Sequence, residues 1–220
     1  MTAVNDESIK AGQAVYSRFT LKIYDLFVLN LSNRWIWRCP KRYLLEQYNQ
    51  YVSDNHLDIG VGTGYFLAHC HWPRNRKLSL MDLNTVCLEK AKKAVYPIIP
   101  TVYQADIYKT NEALFNQFDS ISINYLLHCL PGTMDDKSIA IANAVAMLKP
   151  GGVLLGATIL SDEHLQSGLS RRLMRFYNKK NIFSNKQDDY AALHRVLNQH
   201  LKGIEMQLHG CVALFKGIKP

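Results

Sequence analysis

The chain has 220 residues, 48% hydrophobic and 20% charged, a composition that fits one sizeable globular core and excludes a disordered chain. Its formal charge of +8 admits attraction to nucleic acid or an anionic surface, but the basic residues are dispersed, and their one concentration, SRRLMRFYNKKN at 170–181, reads as a solvated helix face. No apolar run approaches the roughly 20 residues that span a bilayer, and MTAVNDESIK lacks the apolar core of a secretory signal, so a cytoplasmic location is expected.

Along residues 10–52, apolar and aromatic side chains recur at helical spacing: Val15, Phe19, Ile23, Leu26 and Phe27, then Leu44, Leu45, Tyr48 and Tyr51. Two amphipathic helices are expected, interrupted near Cys39-Pro40 because proline lacks the amide a helix interior needs. From 55 to 160 the texture changes. HLDIG, KLSLMD, IIPTVYQAD, FDSISIN and GGVLLGATIL read as strands, while YFLAHC, LNTVCLEKAKKAV and MDDKSIAIANAVAMLKP read as helices. Strict alternation of this kind implies right-handed βαβ crossovers and a parallel sheet covered on both faces. Ligands of such sheets bind at the carboxyl ends of the strands.

Beyond residue 161 comes a polar, basic helical insert, followed by IEMQLH and CVALFKG, joined by Gly210. So short a connection makes an antiparallel hairpin, which runs the last strand against the rest of the sheet. The expected layout is a single domain: a helical lid (1–52), a core (53–160), a helical insert (161–203) and a closing hairpin (204–220). The five cysteines, Cys39, Cys70, Cys87, Cys129 and Cys211, form no C-x-x-C pair, so neither a disulfide framework nor a zinc site is suggested. His69 and His71 resemble a metal pair, but positions i and i+2 diverge on a helix, and no metal is expected.

The chemistry concentrates in HLDIGVGTGYF, residues 56–66. Glycines at 60, 62 and 64 directly after a strand permit positive φ and close approach of a ligand to backbone amides. The spacing is D-x-G-x-G-x-G rather than the dinucleotide fingerprint G-x-G-x-x-G. A carboxylate at Asp58, at the mouth of the loop, opposes a pyrophosphate. It suits a ligand that bears an ammonium and a sulfonium and no phosphate, as S-adenosylmethionine does. Asp58 could instead order its own turn, and Asp82 and Asp106 could cap the helices that follow their strands.

With these motifs in order, the sequence resembles the class I S-adenosylmethionine-dependent methyltransferases. LDIGVGTG is similar to their first motif, with Asp58, Gly60, Gly62, Thr63 and Gly64 at the cofactor. The resemblance implies that Asp82 in LSLMDLN takes the ribose hydroxyls with Leu83 beside it, and that Asp106 in YQADIYK pairs with the adenine amino group with Ile107 against the ring. FDSISINYLLHCLPG is similar to the fourth strand and its loop, where Asn124 and Tyr125 line the methionine end; LKPGGVLL resembles the turn into the fifth strand. The family fold is α/β, a Rossmann-like seven-stranded, mostly parallel sheet with an antiparallel last strand, helices on both faces and here an N-terminal helical lid. NYLLHCLPG with its aromatic N-terminal zone further resembles small bacterial enzymes of the ubiquinone-biosynthesis type.

The resemblance implies methyl transfer from S-adenosyl-L-methionine, with S-adenosyl-L-homocysteine as product, to an oxygen or nitrogen of a small-molecule acceptor. Tyr16 and Tyr24 are placed nearest the cofactor, because similar enzymes close a tyrosine-bearing helix over it. Such transfer needs mainly in-line positioning. A hydroxyl acceptor gains from a base, and His128, above the fourth strand, is the candidate. Tyr16, Phe19, Tyr24, Trp35, Trp37, Phe176 and Tyr177 give the surrounding zones aromatic character, suited to a planar or cationic acceptor. A nucleic-acid methyltransferase is the rival within the fold, but its N/D-P-P-Y/F motif is replaced here by Asn124-Tyr125-Leu126-Leu127. A protein that binds the cofactor without transfer, and a nicotinamide oxidoreductase, are the rivals outside it.

Overall fold

The computed structural model describes residues 35–220. Tyr16 and Tyr24, with the first of the two expected N-terminal helices, lie outside the described residues. The second helix, α1, spans Lys41–Tyr51 behind Pro40 and buries Leu44 and Tyr48. The strands are β1 (Asn55–Ile59), β2 (Lys77–Asp82), β3 (Thr101–Gln104), β4 (Phe118–Asn124), β5 (Leu148–Ile159), β6 (Lys202–His209) and β7 (Val212–Ile218). The remaining helices are α2 (Tyr65–His69), α3 (Thr85–Ala94), α4 (Met134–Met147), α5 (Gly168–Lys179) and α6 (Tyr190–His200).

All seven strands form one sheet in the order β3-β2-β1-β4-β5-β7-β6. β1 to β5 pair in parallel, and β7 runs antiparallel between β5 and β6. The order reverses between β1 and β4, which opens a crevice at the carboxyl ends of those strands.

Alternation along the strands divides the interior into two cores. Leu57, Ile59, Ile121 and Ile123 face α4 and α6, where Ala140, Ile141, Ala144, Leu193, Val196 and Leu197 meet them. On the other face Leu78 and Leu80 pack with Leu44, Tyr48, Phe66, Leu67 and Leu88 of α1, α2 and α3. Burial of these side chains contributes about 1.5–3 kcal/mol each before entropy is counted.

One expected strand is corrected. Of IIPTVYQAD only Thr101–Gln104 is strand: Pro100, with Pro97 just before the segment, withholds an amide that a ladder needs, and β3 is an exposed edge. α4 starts in a capping box, in which the Thr133 hydroxyl accepts the Asp136 amide at 3.3 Å and the Asp136 carboxylate accepts the Thr133 amide at 2.8 Å. Thr133→Ala is expected to lower stability by about 1 kcal/mol, read as a shift of the urea midpoint at unchanged slope; a wild-type midpoint would mean the cap contributes nothing.

Candidate active site

The glycine loop leaves β1 with Gly60, Gly62 and Gly64 at φ of 75°, 52° and 72°. It is tied down by the Gly60 amide on the Met81 carbonyl at 2.8 Å and the Gly64 amide on Val61 at 2.9 Å. A side chain on Gly64 would press its Cβ to 2.8 Å from the Ala91 backbone, so this glycine lets α3 close on the loop. A Cβ on Gly62 would meet nothing within 4 Å, so the loop's middle faces open space that a ligand can fill. Thr63 is buried between them. α2, which follows the loop, is only five residues long.

Asp58 does not stand at the mouth of the loop. It is buried on the α1 face of the sheet, where its Oδ1 accepts the Ser122 hydroxyl at 2.5 Å and the Tyr48 hydroxyl at 3.2 Å. Burial pushes its carboxyl up to about 7, against the pull of those two hydroxyls, and the nearby Asp82 charge adds to the rise. β1 and β4 pair in parallel with Asp58 opposite Ser122, so alternation brings His56, Asp58 and Gly60 onto the same face as Ser120, Ser122 and Asn124. This polar stripe ends at Asn124, whose side-chain amide is buried with neither polar atom in a hydrogen bond among the described residues, although it lies close enough to Tyr48 to lower that hydroxyl's pKa. A buried polar group of this kind costs free energy unless a ligand or water completes it.

Asp82 ends β2 with its carboxyl recessed, although the residue as a whole keeps some exposure. Burial raises its pKa to about 6, opposed by the backbone amides of Asn84, Gly62, Val61 and Leu83. It is not the cap of α3. That role belongs to Asn84, whose side chain accepts the Val86 amide, while Asp82 Oδ1 accepts the Asn84 amide at 2.8 Å. Asp106, after β3, accepts the Tyr108 amide at 3.0 Å in a turn rather than a helix start, and Ile107 is buried beside it. Tyr125 follows Asn124 at φ 55°, in the left-handed region that a tyrosine adopts only when its surroundings hold it there.

His128, the expected base, is buried rather than open to a cleft. Its ring is 1% exposed and wedged edge-on against Phe183 at 4.5 Å and Tyr125 at 5.9 Å, with Nδ1 3.4 Å from Thr158 Oγ1. Burial, helped by the Lys137 charge, lowers its pKa to about 3, so the ring is neutral at pH 7. Phe183 also meets Tyr177 at 4.8 Å and Trp37 at 6.0 Å. Phe183 is the aromatic residue that sequence reasoning missed, since it sits outside any helical pattern. Phe176 and Trp35, by contrast, are 51% and 66% exposed. Beside this cluster a cavity of about 470 Å³ is lined by Cys129, Thr133, Asn178, Phe183, Ser184 and Lys186, among others. His69 gives Nδ1 to the Tyr65 carbonyl at 2.7 Å and stacks on that ring.

A reversed strand order, a glycine cradle at the switch point and a carboxylate on the next strand define a Rossmann-like protein built for an adenosyl ligand. The comparisons agree. A family described as "Methyltransferase domain" matches residues 57–154. The chain is 42% identical to the putative uncharacterized protein YbcY of Escherichia coli K12 over 85% of this chain and 97% of that one. It is 36% identical to the physcion biosynthesis cluster O-methyltransferase of Aspergillus chevalieri, over 95% of both. Among solved structures, phosphoethanolamine N-methyltransferase 2 of Haemonchus contortus, in complex with S-adenosyl-L-methionine, superposes with a TM-score of 0.73 at 14% identity, covering 99% of this chain and 61% of that one, a likeness of fold. The chain belongs to the class I S-adenosylmethionine-dependent methyltransferases. The narrower likeness to ubiquinone-biosynthesis enzymes rests on the sequence alone.

Proposed function

We propose that this enzyme methylates an acidic hydroxyl, phenol-like or enol-like, on a small planar molecule held between an N-terminal lid (1–52) and the insert (161–203). The supporting observation is the state of His128. With its pKa held near 3 by burial, it is a weak proton acceptor at neutral pH, so the acceptor has to bring its own nucleophilicity. A hydroxyl that ionises near neutrality does so. The contact between Trp37 of the lid zone and Phe183 of the insert, 6.0 Å between ring centroids, supplies an aromatic wall for a flat acceptor. The relative named for physcion biosynthesis is an O-methyltransferase, which favours oxygen over nitrogen.

Bound S-adenosylmethionine supplies an electrophilic methyl on a sulfonium whose departure needs no protonation. This chain's residues bind and align. Asp82 and Leu83 would take the ribose, Asp106 and Ile107 the adenine, and Gly60, Gly62, Thr63 and Gly64 the backbone-facing edge. Asn124, Tyr125 and Asp58 would take the methionine end, where the unpartnered Asn124 amide finds its hydrogen bonds. Tyr16 and Tyr24 would cover it from the lid. Among the described residues no helix is long and apolar enough to cross a membrane, which is compatible with action in the cytoplasm.

Two measurements test this. S-adenosylhomocysteine is expected to raise the melting temperature and NAD to leave it unchanged; a rise with NAD alone would sink the cofactor reading. Labelled cofactor is expected to transfer methyl to phenols, and the acid limb of kcat/KM is expected to move with the acidity of the phenol. A limb that stays near pH 6.5 for every acceptor would point to histidine as base, and transfer to RNA alone would replace the small-molecule reading.

A further inference from the structure

Behind Asp58 lies an unbroken chain of buried polar groups that substrate alignment does not use. Ser53 Oγ sits 2.8 Å from Ser120 Oγ, and the Ser53 amide donates to that oxygen at 2.9 Å. Ser120 Oγ is 2.8 Å from His56 Nδ1, and His56 Nε2 is 2.9 Å from Ser122 Oγ, which reaches Asp58 at 2.5 Å. His56, Ser120 and Ser122 are each 0% exposed.

Hydrogen counting gives the chain a direction. Ser122 has one hydroxyl hydrogen and donates it to Asp58, so its oxygen must accept from His56 Nε2–H. Burial lowers the His56 pKa to about 3, so the ring is neutral and carries a single N–H. Nδ1 must therefore accept the Ser120 hydroxyl. The Ser120, His56 and Ser122 donors then point toward Asp58, the arrangement an ionised carboxylate selects, while the Ser53 hydroxyl chooses between Ser120 Oγ and the Asn55 carbonyl 3.2 Å away. A protonated Asp58 that donates to Ser122 reverses the order: Ser122 donates to Nε2, Nδ1–H donates to Ser120, and Ser120 donates to Ser53 Oγ.

The groups facing Asp58 are Tyr48 from α1, the Cys70 thiol after α2, Asp82 from β2, His56 on its own strand and Ser122 from β4. Among the described residues none of these carries a positive charge at neutral pH, in line with an Asp58 carboxyl raised to about 7. An arriving ammonium supplies the missing cation.

We propose that binding of the cofactor's ammonium end ionises Asp58 and releases its proton to solvent, with His56, Ser120 and Ser122 as positioning residues whose hydrogen bonds lock into the carboxylate-facing order. This inference rests on the placement of Asp58 at the methionine end. The balance is one proton: Asp58 loses a proton, His56 loses one at Nδ1 and gains one at Nε2 through its serine neighbours, and the net change is one proton released to the buffer.

The test is calorimetric titration with S-adenosylhomocysteine, which bears the same ammonium, in buffers of different ionisation enthalpy from pH 5.5 to 8.5. Release of about half a proton is expected at pH 7; Asp82, held lower at about 6, contributes at more acid pH. Ser122→Ala and Tyr48→Phe each remove a hydrogen bond that favours the carboxylate, so each is expected to shift the release to higher pH. Nitrogen NMR of the complex is expected to show His56 as the Nε2–H tautomer. Binding without buffer dependence, variants that weaken affinity equally at every pH, or an Nδ1–H tautomer in the complex would each overturn the proposal. Failure to bind at all would instead overturn the cofactor reading.

Discussion

Lys137→Ala is expected to destabilise the protein by about 3–5 kcal/mol, because it strips the only described cation from a fully buried carboxylate. Lys137 Nζ reaches Asp188 Oδ2 at 2.5 Å and the Ser184 carbonyl at 2.6 Å, with both side chains of the ion pair 0% exposed. Asp188 Oδ1 has no partner among the described residues, so nothing there would take over the charge. Burial already raises the Asp188 carboxyl to about 6 even with the lysine beside it, and loss of that charge raises it further. The sign follows from proton counting. An unfolded aspartate titrates near about 3.9, so between there and the folded value the native state holds the extra proton, and stability falls as pH rises through that window. The deficit of Lys137→Ala should therefore be larger at pH 8 than at pH 5. Urea unfolding at the two pH values checks this; a deficit under 1 kcal/mol at both would mean the pair is not buried as described. Replacing both partners, Lys137→Met with Asp188→Leu, is expected to recover most of the loss, since no charge is then left to desolvate. The pair joins α4 to the segment that lines the cavity beside Phe183, so the single variant should also loosen that cavity wall.

Asp82→Ala is expected to weaken S-adenosylhomocysteine binding by about 10- to 100-fold, the loss of charged hydrogen bonds of roughly 1.5–3 kcal/mol. Asp82 has two tasks to separate. Its Oδ1 holds the Asn84 amide at 2.8 Å, a local contact that the apo protein loses as well. Asp82→Asn keeps an acceptor for that amide and loses the charge. The asparagine variant should retain near wild-type melting while it binds the ligand weakly. If it binds normally, the residue serves only its turn. Because the free carboxyl sits at about 6 and hydroxyl donors prefer the ionised form, the Asp82 contribution to affinity should fall as pH drops below that value, and wild-type affinity should level off only above about 7, where Asp58 is ionised as well.

Much of the architecture was legible in the chain because it depends on local periodicity. HLDIG, KLSLMD, FDSISIN and the glycine-linked terminal hairpin announced their strands through alternation and turn chemistry. The glycine spacing marked the loop that leaves β1, with Asp82 at the end of β2 and Asp106 just after β3. IIPTVYQAD is strand only after its proline, Pro100, which lacks the amide a full ladder needs. The burial of His128 is not legible in its own segment, because Phe183, far along the chain, packs against it at 4.5 Å.

The sequence by itself determined the order of elements, the glycine cradle and the family, because each is written in residues close together along the chain. Only the tertiary structure decided the electrostatics. The pairing of Asp58 with Ser122 across β1 and β4 and the descent of Tyr48 onto them turn a carboxylate expected at a loop mouth into a buried group near neutrality. Closure of the insert over His128 turns an expected base into a neutral wall. Both are consequences of desolvation, which depends on every neighbour a group acquires in three dimensions and on none that its own segment records.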